Sequence, residues 1–188
     1  MMEVVIIDYG AGNLFSVQQA FKRLGIEPII SADSELISNA SHVVFPGVGH
    51  AQTAMQQLKS KQLDVLIPTL KQPVLGICLG MQLLCEFTEE GNVKGLGVFR
   101  SRIEIIPNEV IVPHMGWNDV QFSDQEGTNA YYFVHSYKAS ICEDTWGTCD
   151  YGQPFSAALK HNNFYGVQFH PEKSSGQGAK ILTQFLQQ

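Results

Sequence analysis

The run Val74-Leu75-Gly76-Ile77-Cys78-Leu79-Gly80-Met81 constrains the fold more than any other stretch of the chain. A short apolar strand leads into a cysteine, and the helical pattern Leu79, Leu83, Leu84 and Phe87 begins directly after it. A strand that turns straight into a helix crowds its own backbone, so side chains at positions 76 and 80 would clash or be strained. Glycine stands at both. A turn of this kind predicts an α/β fold with a nucleophile held at the top of a buried strand.

The rest of the first half keeps the same rhythm. Val4 to Ile7 reads as a buried strand, and Asp8 to Asn13 as the loop after it. Leu14, Val17, Phe21 and Leu24 repeat at helical spacing until Gly25. An extended Pro28-Ile29-Ile30, a short helix from about Ser34 and the strand Val43-Val44-Phe45 follow. Pro46-Gly47-Val48-Gly49 reads as a loop, and Ala51 to Leu63 as another helix. This alternation predicts a mainly parallel central sheet flanked by helices.

From about Gly95 to Gln168 the style changes to short runs rich in Val, Ile, Tyr and Phe, as in Tyr131 to Val134 and Phe155 to Ala158. Asn162-Asn163 reads as a hairpin turn, and a last helix is expected from about Ser175 to Gln187. Without an internal repeat or a low-complexity linker, residues 1–188 read as a single α/β domain with a β-rich second half. A chain of 188 residues can bury roughly 70% of the surface it exposes when unfolded, enough for a core without staples.

Composition narrows the function classes. Lys and Arg number 12 against 18 Asp and Glu, a net charge of −6, which is a poor footprint for nucleic acid. No apolar run approaches the roughly 18 residues of a membrane span, and Met1-Met2-Glu3 offers no basic start for a signal peptide. Cys78, Cys85, Cys142 and Cys149 read as reduced thiols, and their spacing is not that of zinc ligands. A cytoplasmic protein without metal or membrane contact is expected.

The chemistry converges on a thiol. At the elbow, Cys78 would sit at a helix N-terminus, where the dipole favours a thiolate, with the Leu79 N–H aimed at an oxyanion position. An arbitrary cysteine is more often a buried structural one, and Cys85 (mid-helix in this reading), Cys142 and Cys149 fit that role. A thiol nucleophile needs a base, and the base an orienting group. Val167-Gln168-Phe169-His170-Pro171-Glu172 supplies both: an extended run delivers His170, Pro171 holds it out of the helical region, and residues two apart point the same way, bringing Glu172 to the imidazole. Pro46-Gly47-Val48-Gly49 reads as an ordinary turn or as backbone N–H groups completing an oxyanion hole. His114-Met115-Gly116-Trp117-Asn118 and Phe133-Val134-His135-Ser136-Tyr137 read as half-buried strand ends or as a binding surface. His50 reads as a surface residue, and His42 and His161 as structural.

Taken together, these motifs resemble the class I glutamine amidotransferases. The resemblance is carried by Asp8-Tyr9-Gly10-Ala11-Gly12-Asn13, Pro46-Gly47-Val48-Gly49, Gly76-Ile77-Cys78-Leu79-Gly80-Met81-Gln82, His114-Met115-Gly116-Trp117-Asn118, Tyr132 to Tyr137 and Gln168 to Ser174. It implies a glutaminase without cofactor that releases glutamate and ammonia through Cys78, His170 and Glu172. Gly47, Val48, Gly49 and Leu79 lie where such enzymes build the oxyanion hole. Gln82, His135, Ser136 and Tyr137 match positions around the substrate's amino-acid group. Pro-Gly-Val-Gly and Met-Gly-Trp-Asn narrow the resemblance to the branch whose ammonia enters a (β/α)₈-barrel cyclase. That cyclase makes imidazole glycerol phosphate and an aminoimidazole carboxamide ribotide in histidine biosynthesis. A heterodimer is therefore expected, with Asn13, Trp117, Tyr132 and Lys173 toward the partner and Pro46–Gly49 as a two-state segment under its control. Competing readings are a glutaminase for another synthase, such as those of pyridoxal phosphate or anthranilate, a catalytically idle scaffold, and a redox or protease thiol.

Overall fold

The computed structural model describes residues 2–188. Its first half runs β1 (Val4–Ile7), α1 (Leu14–Arg23), β2 (Ile29–Ser31), α2 (Ser34–Asn39), β3 (His42–Gly47), α3 (Ala51–Ser60), α4 (Leu63–Leu66), β4 (Val74–Cys78) and α5 (Leu79–Leu84). Strands then dominate: β5 (Cys85–Thr88), β6 (Val93–Lys94), β7 (Phe99–Ile105), β8 (His114–Phe122), β9 (Thr128–His135) and β10 (Tyr137–Ala139). The chain closes with β11 (Thr145–Tyr151), β12 (Gln153–His161), β13 (Phe164–Val167) and α6 (Ser175–Leu186).

All the strands join one sheet, whose main path is β2-β1-β3-β4-β13-β12-β10-β7-β5-β6. The first five strands of that path are parallel to one another. From β12 onward antiparallel pairing dominates, and β8, β9 and β11 branch off it as an antiparallel layer. The apolar runs of β1, β3 and β4 are buried on both faces, as parallel strands covered by helices must be. Their alternation sorts residues into two cores. Val5, Ile7, Val43, Phe45 and Val74 pack with Ala54, Met55 and Leu58 of α3, whereas Val4, Ile6, Val44, Leu75 and Ile77 pack with Phe21 of α1 and Ile181 and Phe185 of α6. No helix among the described residues is long and apolar enough to cross a membrane.

Three local expectations are corrected. Pro46 and Gly47 are not loop: they finish β3, where they pair with Ile77 and Cys78 of β4. The helix from Ala51 ends at Ser60 instead of Leu63, because Gln62 takes a left-handed conformation (φ 58°) before the short α4. The helix after the elbow stops at Leu84, so Cys85 opens a strand and is not mid-helix. The cause is competition for carbonyls. Leu96 N–H donates to Leu83 O and Val98 N–H to Leu84 O, both at 2.8 Å, which takes acceptors a longer helix would use. The Asn162-Asn163 hairpin stands as expected, with Asn162 at φ 52° between β12 and β13.

Candidate active site

Cys78 ends β4 with φ 53° and ψ −113°, a conformation that L-residues avoid, and α5 starts at the next residue. The neighbouring glycines make this turn possible. A Cβ on Gly80 would collide with the Phe45 carbonyl, and one on Gly76 would lie 2.8 Å from Leu84 Cδ1 and 2.9 Å from Met81 N. Cys78 is buried, yet it lines a cavity of about 290 Å³ at the C-terminal end of the parallel strands, close to the lower end of small-ligand sites, roughly 300–1,000 Å³.

His170 lines the same cavity. Its backbone is extended, and its Nδ1 lies 2.8 Å from Glu172 Oε1. The route to that contact differs from the expected one, since Pro171–Lys173 form a turn of 3₁₀ helix instead of continuing the extended run. His170 Nδ1–H donates to the carboxylate, and Nε2 is left buried with no hydrogen-bond partner among the described residues. Burial works against a charged ring, but Cys78 and Glu172 outweigh it and raise the His170 pKa to about 10. An imidazole backed by a carboxylate and opening on the same cavity as a thiol is the arrangement of a nucleophile and its base.

The backbone of His170 is tied to the neighbouring layer. His170 N–H donates to Tyr132 O at 2.9 Å, while Ser174 Oγ donates to His170 O at 2.7 Å and accepts from Tyr132 N–H at 2.9 Å. Tyr132 in turn faces Trp117 across the β8–β9 ladder, ring centroids 6.2 Å apart, and lies under Lys173 Nζ at 5.9 Å. Trp117 is 54% exposed and Met115 beside it 62%, so an apolar surface sits directly above the residues holding the histidine.

Other expected site residues gather here. Val48, Gly49, Leu79, Gln82, His135, Ser136 and Tyr137 line the cavity, and Gly47 stands in register with Cys78 on the adjacent strand. A Cβ on Gly47 would meet Tyr9 Oη at 2.7 Å and Gly80 N at 2.8 Å, so only glycine fits that approach. Asn13 lies across a smaller cleft shared with Gly47, Val48, His170 and Glu172, where its Oδ1 caps α1 by accepting from Ser16 N–H at 3.3 Å.

His135 offers the cavity its ring face but no free nitrogen. Nδ1 is 2.7 Å from Tyr137 O and Nε2 is 2.9 Å from His114 Nδ1. His50 is exposed and has a local use: its Nδ1 accepts from Gln52 N–H at the start of α3. His42 is packed edge-on against Phe185, and His161 pairs with Asp144 at 2.8 Å. Cys85 and Cys149 are buried free thiols whose pKa values burial raises, and Cys142 is a half-buried free thiol.

Two residues escaped the sequence reading. Glu90 lines the cavity and accepts from Ala51 N–H at 2.8 Å. Gln168 is fully buried, with its Nε2 3.7 Å from Cys78 Sγ. The only signal for Gln168 was its place two positions before His170, because the chain bends at residues 168–169 after β13 and strand alternation does not carry through.

The family profile for Glutamine amidotransferase class-I matches residues 5–188. The imidazole glycerol phosphate synthase subunit HisH of Bacteroides fragilis (strain YCH46) is 48% identical over 195 residues, covering 99% of this chain and 100% of that protein. The protein of the same name from Pectobacterium atrosepticum is 45% identical, with 99% and 100% covered. Among solved structures, a glutamine amidotransferase superposes with a TM-score of 0.79 at 17% identity, covering 97% of each chain. PurLQS from Thermotoga maritima gives 0.73 at 14% identity, covering 98% of this chain and 97% of that one. At those identities the likeness speaks to the fold alone.

Proposed function

Because the chain belongs to the class-I glutamine amidotransferase family, we propose that Cys78, His170 and Glu172 hydrolyse glutamine to glutamate and ammonia. The observation that carries the assignment is the 2.8 Å His170–Glu172 contact beside a cysteine held at a strained elbow, both opening on one cavity. The Cys78 sulfur attacks the side-chain carboxamide carbon, and the electron pair moves to oxygen. His170 then gives its Nε2 proton to the departing nitrogen, which leaves as ammonia, and a γ-glutamyl thioester remains. Water attacks the thioester while His170 takes its proton, so glutamate leaves and the thiol–imidazole pair is restored. Glu172 fixes the tautomer and stabilises the imidazolium. Leu79 N–H and the backbone of Gly47, Val48 and Gly49 form the oxyanion hole, with Pro46–Gly49 as its switchable part. Gln82, Ser136 and Tyr137 surround the substrate's amino-acid end, and His135 contributes its ring face. The Glu90 carboxylate faces the α-ammonium.

The named relatives support the finer reading that this is the glutaminase subunit of an imidazole glycerol phosphate synthase, working in the cytoplasm. In that reading ammonia passes to a (β/α)₈-barrel cyclase docked on the surface of Trp117, Tyr132, Lys173 and Asn13. Glutamate release is measured for the chain alone, then with the barrel cyclase and a nucleotide acceptor. A rise in turnover on addition of both supports the heterodimer. Equal turnover with and without them overturns control by the partner, and Cys78→Ala with unchanged ammonia release overturns the catalytic assignment.

A further inference from the structure

A backbone carbonyl can only accept a hydrogen bond, and one such carbonyl orients a buried chain of amides that ends on the nucleophile. Gln82 Nε2 lies 3.1 Å from Tyr137 O, so it is the amide nitrogen, not the oxygen, that faces this carbonyl. The same nitrogen lies 2.9 Å from Gln168, which must therefore present its oxygen. The remaining end of the Gln168 amide is then its NH₂ group, and this is what faces Cys78 Sγ at 3.7 Å. Gln82 is 5% exposed and Gln168 fully buried, so water does not compete for these groups.

We propose that Gln168 is a further catalytic residue, donating a hydrogen bond to the Cys78 thiolate, and that Gln82 positions it. The inference rests on Cys78 being the nucleophile. A thiolate in a buried site loses solvation and needs donors from the protein. The buried His170 Nε2 makes no hydrogen bond to it, and Gln168, two residues earlier in the chain, supplies the side-chain donor the structure shows. The donor stays in place when His170 gives its proton to the leaving group, which keeps the sulfur a competent leaving group when the thioester is hydrolysed.

The test is the pH dependence of Cys78 alkylation by iodoacetamide in the full chain, with Cys78→Ala as the blank. The other titratable groups around the sulfur are His170 before the turn, Glu172 and Lys173 within it, His135 of β9, Tyr9 after β1 and Glu90 at the cavity edge, and all are kept. Gln168→Leu should move the alkylation midpoint up by about one pH unit, a roughly tenfold loss of thiolate below it. Gln168→Glu, which turns an oxygen toward the sulfur, should move it further. A folded Gln168→Leu with the wild-type midpoint overturns the proposal. Should that variant not fold, the wild-type chain labelled with ¹⁵N-glutamine decides. The Gln168 side-chain amide resonances should shift as Cys78 titrates, and resonances that stay fixed overturn the proposal. If Cys78→Ala still releases ammonia from glutamine at the wild-type rate, the catalytic reading of Cys78 itself fails, a different outcome from either of these.

Discussion

His114 Nδ1 and His135 Nε2 lie 2.9 Å apart, and their hydrogen bond requires one of these two nitrogens to carry no proton. His135 Nδ1 donates to Tyr137 O at 2.7 Å, so its Nε2 carries the lone pair and His114 must donate from Nδ1. His114 Nε2 then accepts from Asn118 Nδ2 at 3.3 Å. The Asn118 amide is held in that sense by Asp119 N–H, which donates to its oxygen at 2.8 Å. His114 is stacked between Phe133 and Tyr151, with centroids 4.7 and 3.9 Å away. Burial lowers the His114 pKa to about 4 and, with the nearby rings of His114 and His170, takes His135 to about 3.

Acid should therefore unlock this pair before it unfolds much else. Both histidines titrate below their unfolded value of about 6.5, so the unfolded chain binds more protons between the two values. The pair's contribution is complete above about pH 6.5 and is lost as pH falls toward 4 and then 3. Thermal unfolding by circular dichroism should show the melting temperature falling from pH 6.5 to 4. In His114→Gln the melting temperature at pH 7.5 should be lower and the fall shallower. Parallel curves for the two proteins would sink this account.

Removing the charge behind the His170 imidazole should, on the proposed mechanism, cost rate without costing the fold. In Glu172→Gln the neutral amide no longer favours the imidazolium, and it can offer its NH₂ to Nδ1, which puts the ring proton on the wrong nitrogen. Glutaminase kcat should drop by about 10²-fold or more, with an unchanged circular dichroism spectrum and melting temperature within a few degrees. A kcat within threefold of wild type would remove Glu172 from the mechanism.

The elbow was legible because it is local: one glycine pattern decides its geometry. The residues of the His170–Glu172 pair were legible too, but not the 3₁₀ turn that brings them together, since the expected extended run predicts the same neighbours by another route. The parallel block was legible for a similar reason, since Val4 to Ile7 and Val74 to Ile77 are apolar on both faces. Cys85 was misread because its helical pattern is broken by Leu96 and Val98, which take the Leu83 and Leu84 carbonyls from beyond the helix. Local periodicity cannot register a competitor of that kind. Glu90 was invisible for a related reason, as only the folded loop brings it against the start of α3 and into the cavity. His114 and His135 stood out as polar-aromatic clusters, but their tautomers depend on a carbonyl two residues along and a ring on the adjacent strand.

Glu90 should discriminate binding from chemistry. Its carboxylate lines the cavity and makes no hydrogen bond to the His170–Glu172 pair, so its loss should weaken recognition of the α-ammonium and leave the reacting atoms in place. Glu90→Gln should raise KM for glutamine by about tenfold, with kcat within a factor of three. The amide oxygen can still accept from Ala51 N–H, which keeps the start of α3 capped. Equal losses in kcat and kcat/KM would instead place Glu90 in the chemical step.

Two glycines of one helix should answer the same substitution in opposite ways. Gly176, the second residue of α6, has nothing within 4 Å of its missing Cβ, so Gly176→Ala should be neutral or stabilise by up to about 1 kcal/mol through helix propensity. At Gly178 a Cβ would run into the carbonyl of Pro171, the first residue of the turn that carries Glu172. Relief requires either the helix or the turn to move. Helix α6 is anchored by the buried Ile181, Leu182 and Phe185, so the turn is the part that yields. Gly178→Ala should cost about 1–3 kcal/mol of stability. It should also lower glutaminase kcat by tenfold or more, because a shift of about 1 Å at Glu172 misplaces the His170 proton. Turnover and melting temperature measured on both variants separate the two effects. A Gly178→Ala protein that is less stable but fully active would show that the turn is held by Ser174 and Tyr132 alone, independent of the helix behind it.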